Sequence, residues 1–389
     1  MKRTRILFVL GDMGGGGAER VVVECLAGLD RSRFQPVLAL GELTGPYLAE
    51  IPGDVAVIDL GGAACFHRTH LRAFIAQLWK IIFEHQIDLI ASTTILPNTA
   101  LSRARLLWPG MPPLVLLQQD NLTAETNQRA DGLKRQILRA ELRTIFRCST
   151  HVACASAGVR RDLIESFGLK PDCLSTVRNG LPIDRIRSAA QDSIEWPWPE
   201  DTGTKTMIAV GRLVAQKAYP DLLRAFARVR ETTPVRLIVL GVGPLETELR
   251  ELSAQLGLGD TVSFVGFQRN PWAWMTQSDL FVLSSYHEGL GNVLIEAMAC
   301  GVPILATDCP HGPGEIIEDG FTGRLVPPGD VDSLAATMQE LLTDEDTRTR
   351  MAENAAAQLD RFDSASMVRQ YEALFARVLG KALPEEVAA

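Results

Sequence analysis

The chain has 389 residues, 46% of them hydrophobic and 22% charged, with 32 Gly and 21 Pro. This is the composition of a folded protein of two or three domains and excludes a disordered or fibrous chain. A formal charge of -8 and a pI near 5.4 argue against nucleic acid as a partner, because phosphates call for a basic surface.

In chain order, short apolar runs alternate with helical patterns. The start through Leu10 reads as a first strand and not as a signal peptide, since its apolar run is short and glycines follow at once. The strands expected in the first half are Arg5 to Leu10, Pro36 to Leu40, Val55 to Leu60, Asp88 to Ser92, Leu114 to Leu117 and His151 to Ala155. Helices between them include Ala18 to Leu29 and Leu71 to Phe83. The second half repeats the design with strands at Met207 to Val210, Arg236 to Leu240, Val262 to Val265, Leu280 to Leu283 and Ile304 to Ala306. Runs apolar on both faces belong in buried parallel sheets. The alternation therefore predicts an α/β protein of two doubly wound, Rossmann-like domains, with ligands held in a cleft beyond the carboxyl ends of the strands.

Residues 1–185 form the expected N-terminal domain, 186–204 a linker and 205–362 a C-terminal domain. The linker reading rests on Gln191 to Asp201, which contains Trp196-Pro197-Trp198-Pro199 and has no period. Over 363–389 a helical pattern, Ser366 to Leu379, sets Tyr371, Leu374 and Phe375 on one side and is expected to pack back across the hinge. No apolar run approaches the roughly 20 residues that span a bilayer. The seven cysteines are odd in number and form no CxxC pair, which points away from a disulfide scaffold or zinc site and toward a cytoplasmic location.

Charge is unevenly spread. Lys and Arg outnumber Asp and Glu by 22 to 18 over residues 1–185, and are outnumbered 17 to 29 over the rest. Arg135, Arg139, Arg143 and Arg147 recur every four residues and so share a helical face, with Ile137, Leu138, Leu142 and Ile145 as apolar neighbours. Two readings stand: a solvated surface helix, or a face that meets anionic lipid head groups at the inner surface of the cytoplasmic membrane.

Three segments carry chemistry. Gly11-Asp12-Met13-Gly14-Gly15-Gly16-Gly17-Ala18-Glu19-Arg20 follows the first strand. Its glycines let backbone approach a phosphate at a helix start, although a flexible packing loop fits as well. The acidic residue that a dinucleotide site needs after a second strand is missing, since Glu42 comes too late. After Val210 come Arg212 and Lys217, a planar fork and a point charge suited to a diphosphate; two cations in a loop can equally be solvated. After Leu283 comes Ser284-Ser285-Tyr286-His287-Glu288-Gly289-Leu290-Gly291-Asn292-Val293-Leu294-Ile295-Glu296, a glycine loop feeding a helix. Carboxylates at 288 and 296 can accept paired hydrogen bonds from sugar hydroxyls, and the loop amides can hold phosphate oxygens.

Glu288 and Glu296 form an E-x7-E pair that resembles the signature of retaining nucleotide-sugar glycosyltransferases of family 4, which have the GT-B fold. Gly16-Gly17-Ala18-Glu19-Arg20, Val210-Gly211-Arg212-Leu213 with Lys217, and Gly323-Arg324-Leu325-Val326-Pro327 with Gly329-Asp330 agree in the family's order. The segments Phe264 to Pro271 and Asp308 to Ile316 resemble a bacterial subgroup that adds hexoses or N-acetylhexosamines to lipid-linked surface glycans. The resemblance implies that Arg212 and Lys217 grip the donor diphosphate and stabilise the leaving group. It places Glu288 at the donor sugar without making it a nucleophile, and Glu296 at the ribose. The backbone of Gly289, Leu290, Gly291, Asn292 and Val293 would hold sugar and phosphate. Gly266, Phe267 and Gln268 would lie by the base, and Gly15, Gly16 and Gly17 would close over the donor. UDP is the favoured nucleotide and the acceptor a glycan or polyprenyl-linked glycan.

Two departures stand out. Lys217 is followed by Ala218 where the family has Gly or Asn, and Gln118-Gln119-Asp120-Asn121 leaves only Asn121 matching the subgroup on the acceptor side. His311 is a second candidate there. No resident cofactor is expected. The two DxD strings, Asp330-Val331-Asp332 and Asp344-Glu345-Asp346, sit at expected helix starts and read as caps rather than metal ligands. His67, His70, His85 and His151 have no metal spacing. The alternatives to a transferase are a nucleotide-sugar 2-epimerase of the same fold, a non-catalytic sugar-nucleotide-binding subunit and, on the glycine loop alone, a nicotinamide enzyme.

Overall fold

Six of the seven residues of β1 (Thr4–Leu10) are buried, so this strand must lie inside a sheet covered on both faces. The computed structural model describes residues 3–199 and 203–381 and places β1 in a seven-stranded parallel sheet of order β3-β2-β1-β4-β5-β6-β7. Its elements are α1 (Gly17–Gly28), β2 (Phe34–Leu40), β3 (Ala56–Asp59), α2 (Leu71–His85), β4 (Leu89–Thr93), α3 (Ile95–Leu107), β5 (Leu114–Gln118), α4 (Leu122–Arg129), α5 (Gly132–Cys148), β6 (His151–Cys154), α6 (Ala157–Glu165) and β7 (Leu174–Thr176). Phe74 and Leu78 of α2, Leu101 of α3, Leu142 and Phe146 of α5 and Leu163 of α6 cover one face. Val22 and Leu26 of α1 cover the other.

The second unit holds a six-stranded parallel sheet of order β10-β9-β8-β11-β12-β13. Its elements are α7 (Ile183–Ala189), β8 (Lys205–Val210), α8 (Tyr219–Arg230), β9 (Val235–Leu240), α9 (Glu246–Gln255), β10 (Val262–Gly266), α10 (Trp272–Thr276), β11 (Leu280–Leu283), α11 (Asn292–Ala299), β12 (Ile304–Thr307), α12 (Pro313–Ile316), β13 (Arg324–Val326), α13 (Val331–Thr343) and α14 (Glu345–Ala356). Two doubly wound α/β units were expected and both are present. The strands β7 and β13 were not anticipated. Each is three residues long at a sheet edge, too short to show a period.

The structure divides the chain at Gly180–Leu181, a few residues before the expected end of the N-terminal domain at 185, and again at Asp363–Ser364. The expected linker is largely part of the second unit. Asn270 Nδ2 donates to the Ala189 carbonyl at 2.7 Å and to Asp192 at 2.8 Å. Trp196 stacks on Trp274 at 5.6 Å. Trp198 Nε1 donates to the Asp260 carbonyl at 2.6 Å, and Arg236 lies over its ring. The tryptophans that looked like punctuation are thus docking groups. Residues 200–202 of that segment, the first two residues of the chain and residues 382–389 of the expected tail lie outside the described residues.

The last helix, α15 (Ser364–Val378), belongs to the first unit. Met367, Val368, Tyr371, Leu374 and Phe375 join the core on the α1 side of the sheet, with Phe375 edge-on to Phe8 at 6.3 Å. The tail helix thus returns to the first unit and completes its core.

The arginine series of α5 has local partners. Arg143 Nε donates to the Phe167 carbonyl at 2.8 Å and Arg147 to the Gly168 carbonyl at 3.2 Å. Arg139 lies 5.9 Å from the Phe167 ring and donates to Thr126 at 3.3 Å. Arg143 and Arg147 stay exposed on the helix surface, and the three side chains also fasten the turn after α6, whose carbonyls need donors.

Candidate active site

In the second unit the residues singled out leave the carboxyl ends of neighbouring strands. β8 runs into Gly211-Arg212, then a one-turn helix at Ala215–Lys217. Ala218 reverses the chain in a left-handed conformation, φ 49° and ψ 36°. β11 runs into Ser284 and Ser285, and the two exits are stitched together. Ser284 Oγ donates to the Lys217 carbonyl at 2.8 Å, Gln216 Nε2 to the His287 carbonyl at 2.9 Å, and the Tyr286 amide to the Gln216 carbonyl at 2.9 Å.

This stitching brings Lys217 Nζ to 2.6 Å from Glu288 Oε1. The same oxygen accepts from Ser285 Oγ at 2.6 Å, and Thr307 Oγ1 donates to the Ser285 carbonyl at 2.5 Å. Glu288 is buried and Lys217 nearly so. Removing one partner of such a pair would strand the other and cost about 3–5 kcal/mol. The two residues assigned to different parts of a ligand therefore hold each other. Arg212 is exposed, with no side-chain partner among the described residues. The loop presents one free guanidinium and one ammonium that can change partner.

Gly291, at φ 92°, starts α11, whose first amides face the same end of the sheet. A side chain at Gly312 would put a Cβ 2.5 Å from the Leu290 carbonyl, so the exit of β12 is pressed onto the β11 loop and His311, at φ 66°, stands one residue before that contact. Leu290 is buried, which leaves only its main chain for a ligand. Glu296 lies in the second turn of α11, and its Oε2 accepts from Trp272 Nε1 at 3.0 Å. Gly266 ends β10, Phe267 is exposed, and Gln268 borders a groove with Trp196, Trp274 and Val265.

Two neighbouring groups stay uncharged near neutral pH. Burial, and then the Glu288 charge, raises the Tyr219 phenol, which donates to the Gly211 carbonyl at 3.1 Å. Burial, followed by the Glu288 charge, pushes the Cys309 thiol up to about 12, too high for a nucleophile. Sequence reasoning missed Ser285 and Trp272, which hold the two carboxylates. The signals were present: a serine three residues before Glu288, and a buried-type Trp after Asn270-Pro271.

In the first unit, Gly15, Gly16 and Gly17 follow β1. A Cβ at Gly45 would sit 2.1 Å from the Met13 carbonyl, and Tyr47 donates its hydroxyl to the Gly15 carbonyl at 3.2 Å, so residues 45–47 lay the loop down. Arg20 makes a two-pronged pair with Glu50 at 2.6 and 3.1 Å over the Tyr47 ring; it anchors the loop. Asn121 is buried and caps α4, its Oδ1 accepting from the Ala124 amide at 2.9 Å. Its side-chain oxygen is thereby committed locally. The DxD strings are caps too: Asp330 accepts from the Ser333 amide at 3.0 Å and Asp344 from the Thr347 amide at 2.9 Å.

Residues 15–185 match the model for Glycosyltransferase Family 4, and residues 190–358 that for Glycosyl transferases group 1. The chain belongs to the family 4 glycosyltransferases. This glycosyltransferase is 30% identical over 214 residues to the N-acetylgalactosamine-N,N'-diacetylbacillosaminyl-diphospho-undecaprenol 4-alpha-N-acetylgalactosaminyltransferase of Campylobacter jejuni, over 55% of this chain and 56% of that one. It is 31% identical over 208 residues to the lipopolysaccharide core biosynthesis glycosyltransferase LpsE of Rhizobium meliloti, over 54% and 58% of the two chains. The matches thus span little more than half the length of these relatives. Among solved structures, Anabaena Alr3699/HepE in complex with UDP and glucose superposes with a TM-score of 0.76 at 22% identity, covering 96% of this chain and all of that one. The two parallel-sheet units are those of the GT-B fold.

Proposed function

We propose that this glycosyltransferase moves a hexose or N-acetylhexosamine, with retention of anomeric configuration and without a metal ion, from a nucleotide-diphosphate sugar to a glycan or polyprenyl-linked glycan acceptor in bacterial surface polysaccharide synthesis. It works at the inner face of the cytoplasmic membrane. UDP is the favoured nucleotide, in line with the UDP bound by the Anabaena structure.

The observation that carries the reading is the exposed Arg212 on the same loop as Lys217, whose ammonium pairs with Glu288, at the carboxyl end of a parallel sheet. An incoming diphosphate offers Lys217 a second anion, and Arg212 supplies the other positive charge. Two cations on the leaving group stabilise the charge that grows on it, which is the main catalytic term for such departures. They do the work a divalent ion does elsewhere. Glu288, once Lys217 turns to phosphate, can accept from donor-sugar hydroxyls, and Glu296, steadied by Trp272, from the ribose. The resemblance to the retaining family implies attack from the front face, with Glu288 not acting as a nucleophile. The bond to the diphosphate oxygen breaks, the bond to the acceptor oxygen forms, and the acceptor proton passes to the departing phosphate.

A panel of nucleotide sugars, tested first for thermal stabilisation and then for transfer, examines the reading. Glu296→Ala should weaken nucleotide binding about tenfold or more, by loss of charged hydrogen bonds, and Lys217→Ala should chiefly lower turnover. Turnover in Lys217→Ala equal to the parent would remove the leaving-group role. Epimerised donor instead of transferred sugar would favour the 2-epimerase alternative, and binding without turnover a non-catalytic subunit.

A further inference from the structure

α2, α3 and α5 lie side by side over one face of the first unit's sheet, held by Phe74, Leu101 and Leu142. Their outward faces carry large apolar side chains among the charged ones. On α2, Trp79 and Phe83 are 55% and 71% exposed and stack on each other, rings 5.5 Å apart and 4° from parallel. On α3, Leu96, Leu106 and Leu107 are exposed; on α5, Leu133 and Ile137 are 71% and 60% exposed. Spacing explains the placement, because Trp79 and Phe83, like Leu133 and Ile137, are four apart and opposite the buried residues of their helices. Exposed apolar groups gathered in this way mark an interaction surface.

The charge on the same helices names the partner. They carry nine basic residues and two acidic ones, Glu84 and Glu141. With Arg103 paired to Glu141 and Arg105, Arg139, Arg143 and Arg147 bonded within the unit, Arg72, Lys80, Lys134 and Arg135 are left against Glu84. A second copy of this chain would set like charges against each other. An anionic bilayer meets both needs, a negative surface for the bases and an acyl boundary for the aromatic and aliphatic groups. We infer that the α2–α3–α5 layer is a membrane-docking face that lies flat on anionic lipid, with Trp79, Phe83, Leu133 and Ile137 as inserted anchors. The inference deepens the membrane attachment in the proposed function. It replaces the arginine stripe suggested by sequence, since Arg139, Arg143 and Arg147 are engaged within the unit.

The test is co-sedimentation of the full chain with vesicles of phosphatidylcholine alone and of equal parts phosphatidylcholine and phosphatidylglycerol, at low and high salt. The chain should bind the mixed vesicles and not the neutral ones, with a fraction that survives high salt. Trp79→Ser with Phe83→Ser, and separately Leu133→Ser with Ile137→Ser, should each weaken binding about tenfold, or ~1.4 kcal/mol, at unchanged melting temperature. Lys134→Glu with Arg135→Glu should remove the preference for phosphatidylglycerol. Absence of binding to mixed vesicles, or apolar variants that bind like the parent, would overturn the proposal. So would a dimer that Trp79→Ser with Phe83→Ser converts to monomer. Vesicle binding needs no sugar nucleotide, so its failure would leave the transferase reading standing, and loss of transfer would leave the docking face.

Discussion

Ala218 holds a conformation that costs an L-residue roughly 1–2 kcal/mol, at the turn that aims Lys217 at Glu288. The family's preference for Gly or Asn after this lysine has the same cause. Ala218→Gly should raise the unfolding free energy by up to about 1 kcal/mol in urea titrations, the relief of strain exceeding the added chain entropy; an equal or lower midpoint would contradict it. Trp272 makes a second test at this scale. Trp272→Phe keeps an aromatic, though smaller, side chain and removes the N–H that holds Glu296, and should weaken UDP binding about fivefold by calorimetry. Unaltered affinity would deny Trp272 a positioning role. The spacing of Glu288 and Glu296 was legible in the sequence, because eight residues across a loop and two helical turns is a local quantity. The Lys217–Glu288 contact was not, because it joins residues 71 apart through the pairing of β8 and β11. Asn121 was legible as a residue of interest, yet its capping of α4 was hidden in an unremarkable Asn-Leu-Thr-Ala string.

Among the elements, β6 and β7 are clamped by His151. Its Nε2 lies 2.7 Å from Ser175 Oγ, and Arg377 of α15 reaches both. Burial, and then the Arg377 charge, lowers the His151 pKa from 6.5 to about 4. Between those values the unfolded chain takes up a proton that the folded chain refuses, so stability falls as pH drops through that window. His151→Gln should lose less melting temperature than the parent between pH 7 and pH 4.5 (roughly the span of the shift); parallel losses would refute the assignment. The central strands were easy to read, being apolar on both faces. β7 and β13 escaped because three-residue edge strands carry no pattern. α5 was legible as a helix with its arginines on one face, but their bonds to the carbonyls after α6 were not, because the sequence does not say that those carbonyls lie beside them.

At the scale of the molecule, the charge asymmetry follows the structural division. The first unit has 24 Lys and Arg against 20 Asp and Glu, and the second 15 against 27. The chain crosses between the units twice; the sequence pointed to a tail that packs back, through Tyr371, Leu374 and Phe375 on one side, but an amphipathic pattern does not say which core the helix joins. Deleting the chain from Ser364 would uncover Met367, Val368, Tyr371, Leu374 and Phe375. At ~1.5–3 kcal/mol for each buried side chain, the loss approaches the whole stability of about 5–15 kcal/mol that a domain has. Calorimetry of that truncation should show the first unit's transition gone and the second's retained; two intact transitions would dismiss the helix as an accessory. The double passage also sets an order of events during synthesis. Leu181–Asp363 is complete on the ribosome before Ser364–Val378 has been translated, so the half begun first is the half finished last. Until then its sheet waits with the apolar surface over Phe8 and Leu26 uncovered, a period in which a chaperone, or the wrong neighbour, can occupy the place of the final helix.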